Sequence, residues 1–414
     1  MKPEQIAERD ASATRRAYLF SSIFEAPFWT LQGMLIFILC KDLCAPLIQY
    51  TILIALRPTV SLFTPYWSAL VYKRPDRLRS NIIIADVIGH LPFFFFPFIH
   101  STWYLVFAGA LFIMMKRSII PAWMEILKRN LPRNTREKTF SLGTTLSYVP
   151  SILLPFLFGY WMDAYSGIWR FLFPLTALIS LSGTLFILRI PINSALKIDT
   201  PKVPQNIRSA LLKPWQNALH LLKTRPDFIR FQIGFMLGGG GLMIMQPALP
   251  LFFDQTLQLS YTEIAIAIAT FKGIGFALTS RLWAAWMTRI SIYRFSALVT
   301  TLAAVFPFGL LLARLHLSAL FVAYLIYGVM QAGSKLSWNL SGPLFAHDED
   351  SSIYSSVNVV SVGLRGLVAP FLGSLLCTLF SPVLVLILAS VLCSLASLQL
   401  TASSKRYPLP TTPS

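Results

Sequence analysis

The chain has 414 residues, of which 55% are hydrophobic and only 13% are charged. A soluble chain carries about 25% charged residues, and here the mean hydropathy of +0.63 comes from long apolar runs, so soluble-enzyme readings are excluded. The 35 Lys and Arg against 17 Asp and Glu give a formal charge of +18, which in a membrane protein raises topology before nucleic acid.

Residues 1–17 are polar and mixed in charge, and the run from Tyr18 to Cys40 is too long for the core of a cleaved signal peptide. Crossing about 30 Å of hydrocarbon takes around 20 apolar residues in a helix. Such runs fall at 18–40, 46–72, 81–99, 103–125, 139–161 and 169–190, then at 228–253, 261–287, 291–314, 317–341, 353–377 and 381–402. Only the charge-free tip His100-Ser101-Thr102 separates the third from the fourth. Barrel strands would be short and alternating, which these runs are not. The expected fold class is an all-α polytopic membrane protein with twelve transmembrane helices.

Lys and Arg in the short loops set the orientation. With the N-terminus inside, the inner segments hold Lys2, Arg9, Arg15 and Arg16, then Lys73, Arg74, Arg77 and Arg79, then Lys128, Arg129, Arg133, Arg136 and Lys138. The stretch 191–227 adds Lys197, Lys202, Arg208, Lys213, Lys223 and Arg225, whereas the outer loops hold little beyond Lys41 and Arg314. Both termini are therefore expected in the cytoplasm, with the chain in a bacterial-type inner membrane. The loop 342–352, with His347-Asp348-Glu349-Asp350 and no Lys or Arg, departs from the pattern, but acidic residues contribute little to topology.

The two halves of the chain resemble each other at an offset of about 215 residues. Phe140-Ser141 matches Tyr354-Ser355, Pro155-Phe156-Leu157 matches Pro370-Phe371-Leu372, and Trp67, Ala69 and Lys73 match Trp283, Ala285 and Arg289. The expected organisation is a cytoplasmic segment 1–17, a six-helix half 18–190, a cytoplasmic linker 191–227, a six-helix half 228–402 and a cytoplasmic tail 403–414. Paired repeats of this kind are an architecture of secondary transporters.

Six plus six spans, inner termini and a basic central linker resemble the major facilitator superfamily over essentially the whole chain. The local match is Trp67-Ser68-Ala69-Leu70-Val71-Tyr72-Lys73-Arg74-Pro75-Asp76-Arg77-Leu78-Arg79, similar to that superfamily's Gly-x-x-x-Asp-Arg-x-Gly-Arg-Arg signature. Ser68 stands where the glycine is expected and Tyr72 where the first Asp is expected. The resemblance implies two halves related by a pseudo-two-fold axis and a cytoplasmic gate latched by Lys73, Arg74, Asp76, Arg77 and Arg79. It also implies that spans 3, 6, 9 and 12 sit outermost while the others line a central path.

A Lys, Arg or Asp at mid-span costs on the order of 2.5–3.5 kcal/mol on insertion scales, so each is expected to face a cavity or a partner. Arg57, Lys116, Arg117, Lys272 and Arg365 fall near mid-depth; Arg281 and Lys335 sit closer to the cytoplasm, where snorkelling or structural pairing explains them. Arg57 and Lys272 occupy nearly corresponding places in the two halves. The in-span acids are fewer: Glu25, Asp86 and Glu125. The basic excess points to an anionic substrate, a carboxylate or organic phosphate, held by Arg57, Lys116, Arg117, Lys272 and Arg365. Glu25, ahead of Pro27, is the candidate proton carrier, with a fixed ion pair to Arg57 or Arg117 as the alternative. Asp86 and His90 share a face one turn apart and are read as helix-packing residues.

Gly238-Gly239-Gly240-Gly241 in the seventh span, followed by Pro247 and Pro250, is too weak in helix propensity to be rigid on its own. It reads either as a gating hinge or as a close-packing surface. Phe93 to Phe96 and the tryptophans are read as lipid contacts and interfacial anchors. No phosphate-binding loop, metal-ligand spacing or disulfide framework is present in the sequence, so no enzyme, metal or cofactor is expected. The expected function is alternating-access secondary transport of a small organic anion by a monomer in the lipid bilayer, with proton coupling an open question and no nucleic-acid partner. Two alternatives stand: a proton-coupled efflux pump for lipophilic or cationic compounds, and a receptor or scaffold that kept a transporter fold.

Overall fold

A computed structural model describes residues 3–63, 77–191, 216, 219–346 and 351–407. Among these the chain is helical and contains no strand. The helical segments are α1 (Pro3–Lys41), α2 (Leu47–Phe63), α3 (Leu78–Phe95), α4 (Thr102–Asn130), α5 (Arg133–Ala164) and α6 (Trp169–Ile187). They continue with α7 (Pro226–Thr256), α8 (Tyr261–Met287), α9 (Ile292–Leu312), α10 (Ser318–Ala346), α11 (Ser351–Leu379) and α12 (Pro382–Arg406). Ten described helices are long and apolar enough to cross a membrane, and Leu47–Phe63 and Ile152–Ala164 are shorter apolar helices. These positions agree with a twelve-helix polytopic protein. Large apolar side chains are exposed along the helices, among them Phe98, Leu153, Phe171, Leu278, Phe308 and Leu398. Water would not tolerate so much apolar surface, and lipid requires it.

The chain divides into two compact units: Met1–Ala45 with Phe63–Val203, and Pro46–Leu62 with Pro204–Ser414. In the first unit Ala17, Ile82, Ile119, Ala122, Ile126 and Ile187 form one core cluster. An aromatic cluster is built from Phe28, Phe93, Phe96, Phe112 and Phe173, all fully buried. This corrects the reading of Phe93 and Phe96 as lipid contacts. Residues 91–95 close as a 3-10 turn, in which side chains three apart eclipse one another. Phe93 and Phe96 therefore turn inward together, Phe93 stacking on Phe173 of α6 at 5.3 Å and Phe96 meeting it edge-on at 4.9 Å, while Phe95 stays exposed. Trp169 is also buried, donating from Nε1 to Asp42 Oδ2 at 2.8 Å.

In the second unit, Phe228, Phe231, Tyr293, Phe345 and Tyr354 form one core, and Trp283, Phe295, Val299 and Met330 form another. Arg225 ties four helices at one end: it meets Asp227 Oδ2 at 3.0 Å and donates to Tyr354 Oη at 2.5 Å and the Phe345 carbonyl at 3.0 Å, while Tyr293 Oη donates to the Asp227 carbonyl at 2.6 Å. The segment α2 belongs to this unit because it packs on α11, where a Cβ at Gly366 or Gly363 would overlap Pro58 or Leu62. α8 and α10 approach reciprocally: a Cβ at Gly275 would strike the Leu325 carbonyl, and one at Gly328 the Lys272 carbonyl. Small residues at such crossings are how helices gain contact in a solvent as apolar as themselves.

The four-glycine run is helical throughout, inside Pro226–Ile244. Relative to alanine the run costs about 4 kcal/mol of helix propensity, which packing offsets. A Cβ at Gly238 would meet Thr300 of α9, and one at Gly241 would meet Ala389 and Cys393 of α12. Gly328→Ala is expected to push α8 from α10 and cost about 1–3 kcal/mol, read as a lower melting temperature in detergent. Gly33→Ala, where nothing lies within 4 Å, should leave the melting temperature unchanged or slightly raised.

Candidate functional site

Six charged residues inside the spans gather in two groups, Glu25, Asp86 and Lys116 in the first unit and Arg57, Lys272 and Lys335 in the second. In the first unit Lys116 of α4 lies between Glu25 of α1 and Asp86 of α3. Its Nζ is 2.5 Å from Asp86 Oδ1 and is also paired with Glu25 Oε1. The Lys116 and Asp86 side chains are each 8% exposed and that of Glu25 is 30% exposed, so Glu25 is the accessible acid of the three. Phe112 lies beside the ammonium at 5.6 Å. His90 is fully buried, and its Nδ1 bonds the Asp86 backbone carbonyl at 2.7 Å, while its ring meets Phe28 and Phe112 edge-on. The helical spacing explains the arrangement, since Asp86 and His90 stand one turn apart on the face that α3 turns toward α4.

Two carboxylates and one ammonium carry a net negative charge when all are ionised. One proton makes the cluster neutral, which is the cheaper state for groups held out of water. One proton thus decides whether a carboxylate charge in the cluster is left unmatched. Sequence reasoning identified Glu25 and Lys116 separately and read Asp86 as a packing residue. A pairing of Glu25 with Lys116 was not among the ion pairs it weighed. Arg117, one residue on, points away from Lys116 to an exposed face of α4.

The second unit gathers basic residues. Lys272 on α8 is half-buried and lies within electrostatic reach of Arg57 on α2 and Lys335 on α10. Lys335 Nζ sits 4.6 Å from the ring of Phe276, one turn past Lys272. The Gly328 contact brings the Lys272 backbone against α10, and Lys335 follows two turns later on the same face. Six residues before Lys272 the helix widens into a π-turn, Ile266–Phe271, a distortion frequent at functional sites. Between Asp227 and Asp348 the sequence has two acids, Asp254 and Glu263, and Glu263 is held in the capping box of Ser260. Sequence depth placed Lys335 near the cytoplasm, and only its helical face brings it into this group.

The remaining predicted residues lie elsewhere. The Arg365 guanidinium is directed at α7, donating from Nη1 to the Phe235 carbonyl at 2.7 Å and lying 5.0 Å from the Phe235 ring. Arg77 precedes α3, and Arg79 Nη1 donates to the Leu188 and Ile190 carbonyls at 3.0 and 3.3 Å, capping the end of α6. Lys73, Arg74 and Asp76 lie outside the described residues, as do His347 to Asp350. Glu125 pairs with Arg129 one turn away at 2.8 Å.

A sequence profile of the Major Facilitator Superfamily matches residues 18–364. The fold is similar to a variant of the nucleoside transporter NupG, with a TM-score of 0.73, 15% identity, and coverage of 94% of this chain and 99% of that one. It is similar to a variant of the peptide transporter POT in complex with alafosfalin, with a TM-score of 0.74, 12% identity, and coverage of 97% and 98%. A POT family transporter in complex with 5-aminolevulinic acid gives a TM-score of 0.72 at 12% identity, with coverage of 95% and 96%. Among curated protein sequences none matches this chain.

Lys116→Met leaves the buried Asp86 carboxylate without its cation and is expected to cost about 3–5 kcal/mol. Adding Asp86→Asn to Lys116→Met should recover part of the lost melting temperature, although Asp86→Asn alone lowers it. Additive losses would mean that the two side chains do not act as a pair.

Proposed function

The chain belongs to the major facilitator superfamily and is a multi-pass membrane transporter, and on that premise we propose that it moves a small organic anion by alternating access. The observation that carries the substrate class is the gathering of Arg57, Lys272 and Lys335 within electrostatic reach in one compact unit. Like charges held together in an apolar protein repel, and a visiting anion relieves that repulsion. An arginine supplies a planar fork for a carboxylate or phosphate, and the lysines supply movable point charges. Alternating exposure of that basic group to either side of the membrane would carry the anion across. The distribution of Lys and Arg among the loops supports a bacterial-type inner membrane with both termini in the cytoplasm.

The Glu25–Lys116–Asp86 cluster supports proton coupling. A proton taken by Glu25, the more exposed acid, leaves Asp86 and Lys116 as a neutral pair. The same step in reverse returns the proton when Glu25 pairs with Lys116 again. Coupling follows if the two arrangements favour opposite sides of the transport cycle.

Thermal unfolding of the purified protein with organic phosphates, mono- and dicarboxylates, amino acids and cationic drugs tests the substrate class. A ligand at 100 times its Kd adds about 2.7 kcal/mol to the native state. Anions are expected to raise the melting temperature of the wild type but not of Lys272→Gln or Arg57→Gln; stabilisation by cationic compounds alone contradicts the proposal and favours efflux. In proteoliposomes Glu25→Gln is expected to abolish accumulation driven by a pH gradient while leaving substrate exchange intact. Full gradient-driven accumulation by that variant removes Glu25 as the proton carrier.

A further inference from the structure

The four glycines of α7 are bridged by a side chain from another helix. Arg365 of α11 donates from Nη1 to the Phe235 carbonyl at 2.7 Å, ahead of the glycine run, and its Nε lies 3.4 Å from Met243 Sδ, beyond the run. The Phe235 carbonyl is also the acceptor that helical geometry assigns to the Gly239 N–H, so the guanidinium occupies that carbonyl's second lone pair at the start of the weakest stretch. Its planar face lies 5.0 Å from the Phe235 ring, and that ring stacks at 5.7 Å and 24° on Trp338 of α10. Gly239 makes room for this seat: a Cβ there would overlap the guanidinium, while a Cβ at Gly240 would come no nearer than 3.8 Å to Arg365. The arginine is therefore laid along the glycines like a splint, with Phe235 and Trp338 behind it.

We propose that Arg365 is a positioning residue for transport, which pins α7 straight across Gly238–Gly241, and that α7 bends there only when the guanidinium leaves its seat. Two requirements of transport meet in this arrangement. A straight α7 keeps the packing of Gly238 against Thr300 and of Gly241 against Ala389 and Cys393. A bent α7 needs a stretch of low helix propensity that one side-chain movement can release. The pin also lies beside the α2 contact, since Gly366, the next residue, receives Pro58. A displacement of α2 along α11 would therefore reach the guanidinium through its nearest neighbour. This role is independent of the nature of the transported substrate.

Amide hydrogen exchange over residues 236–244 of the full-length protein in detergent tests the pin. Arg365→Gln is expected to speed exchange there by about tenfold or more, with Arg365→Lys intermediate and segments of α9 and α12 unchanged. Gly239→Ala separates the pin from a merely structural role. Alanine is the better helix former, so without a pin it slows exchange; with one, its methyl group expels the guanidinium and exchange rises as in Arg365→Gln. Combining Gly239→Ala with Arg365→Gln should then bring exchange back down, because the methyl group no longer displaces anything. Unchanged exchange in Arg365→Gln, or slower exchange in Gly239→Ala alone, overturns the proposal.

Discussion

Moving an ionised side chain out of water costs so much that every charge inside an apolar span must be matched, shared or made useful. The structure meets that demand in three ways. Lys116 is matched by Glu25 and Asp86, from two other helices of its unit. Arg365 is spent on a backbone carbonyl and an aromatic face. Lys272 stands within electrostatic reach of two further basic residues, Arg57 and Lys335. Matching gives a buried ion-paired cluster, commitment to the backbone fixes Arg365 on α7, and the gathered basic residues support the proposed anion site. Helix placement follows the same demand, since α1, α3 and α4 must converge at one level for Lys116 to reach both acids.

The second constraint is the lack of a hydrophobic force between helices in lipid, which leaves close packing to hold them. Glycine supplies it at the crossings of α2 with α11 and of α8 with α10. These crossings are also where charged residues stand: Arg57 precedes the Pro58 that rests on Gly366, and the Lys272 carbonyl is the atom against Gly328. Closeness of backbones and placement of charge are thus one feature in the second unit. Substitutions at these glycines would move the backbone that carries Arg57 and Lys272 as well as lower stability.

Much of the fold was legible because an apolar run is a one-dimensional signal whose length alone reports a crossing. The runs at 103–125 and 169–190 coincide with α4 and α6, and the basic loops and internal repeat point to the superfamily that the profile match establishes. The site was legible only in depth. Depth along a helix is written in sequence number, but azimuth and partner are not, and each surprise was one of azimuth. Asp86 faces Lys116 because α3 turns that face to α4; Phe93 and Phe96 face inward because a 3-10 turn resets the period; Lys335 joins Lys272 because α10 crosses α8 at Gly328. Arg365 is legible as an in-span arginine, yet no periodicity reveals that its partner is a carbonyl of α7. The juxtaposition of an in-span arginine with a glycine run in another span was the one available signal.

If an anionic substrate crosses the membrane through this protein, flux in proteoliposomes will report it. Protein reconstituted with the anion that most raises its melting temperature should exchange internal unlabelled anion for external labelled anion, and Lys272→Gln should not. Flux of cationic compounds with no anion exchange, or binding without any flux, would contradict it.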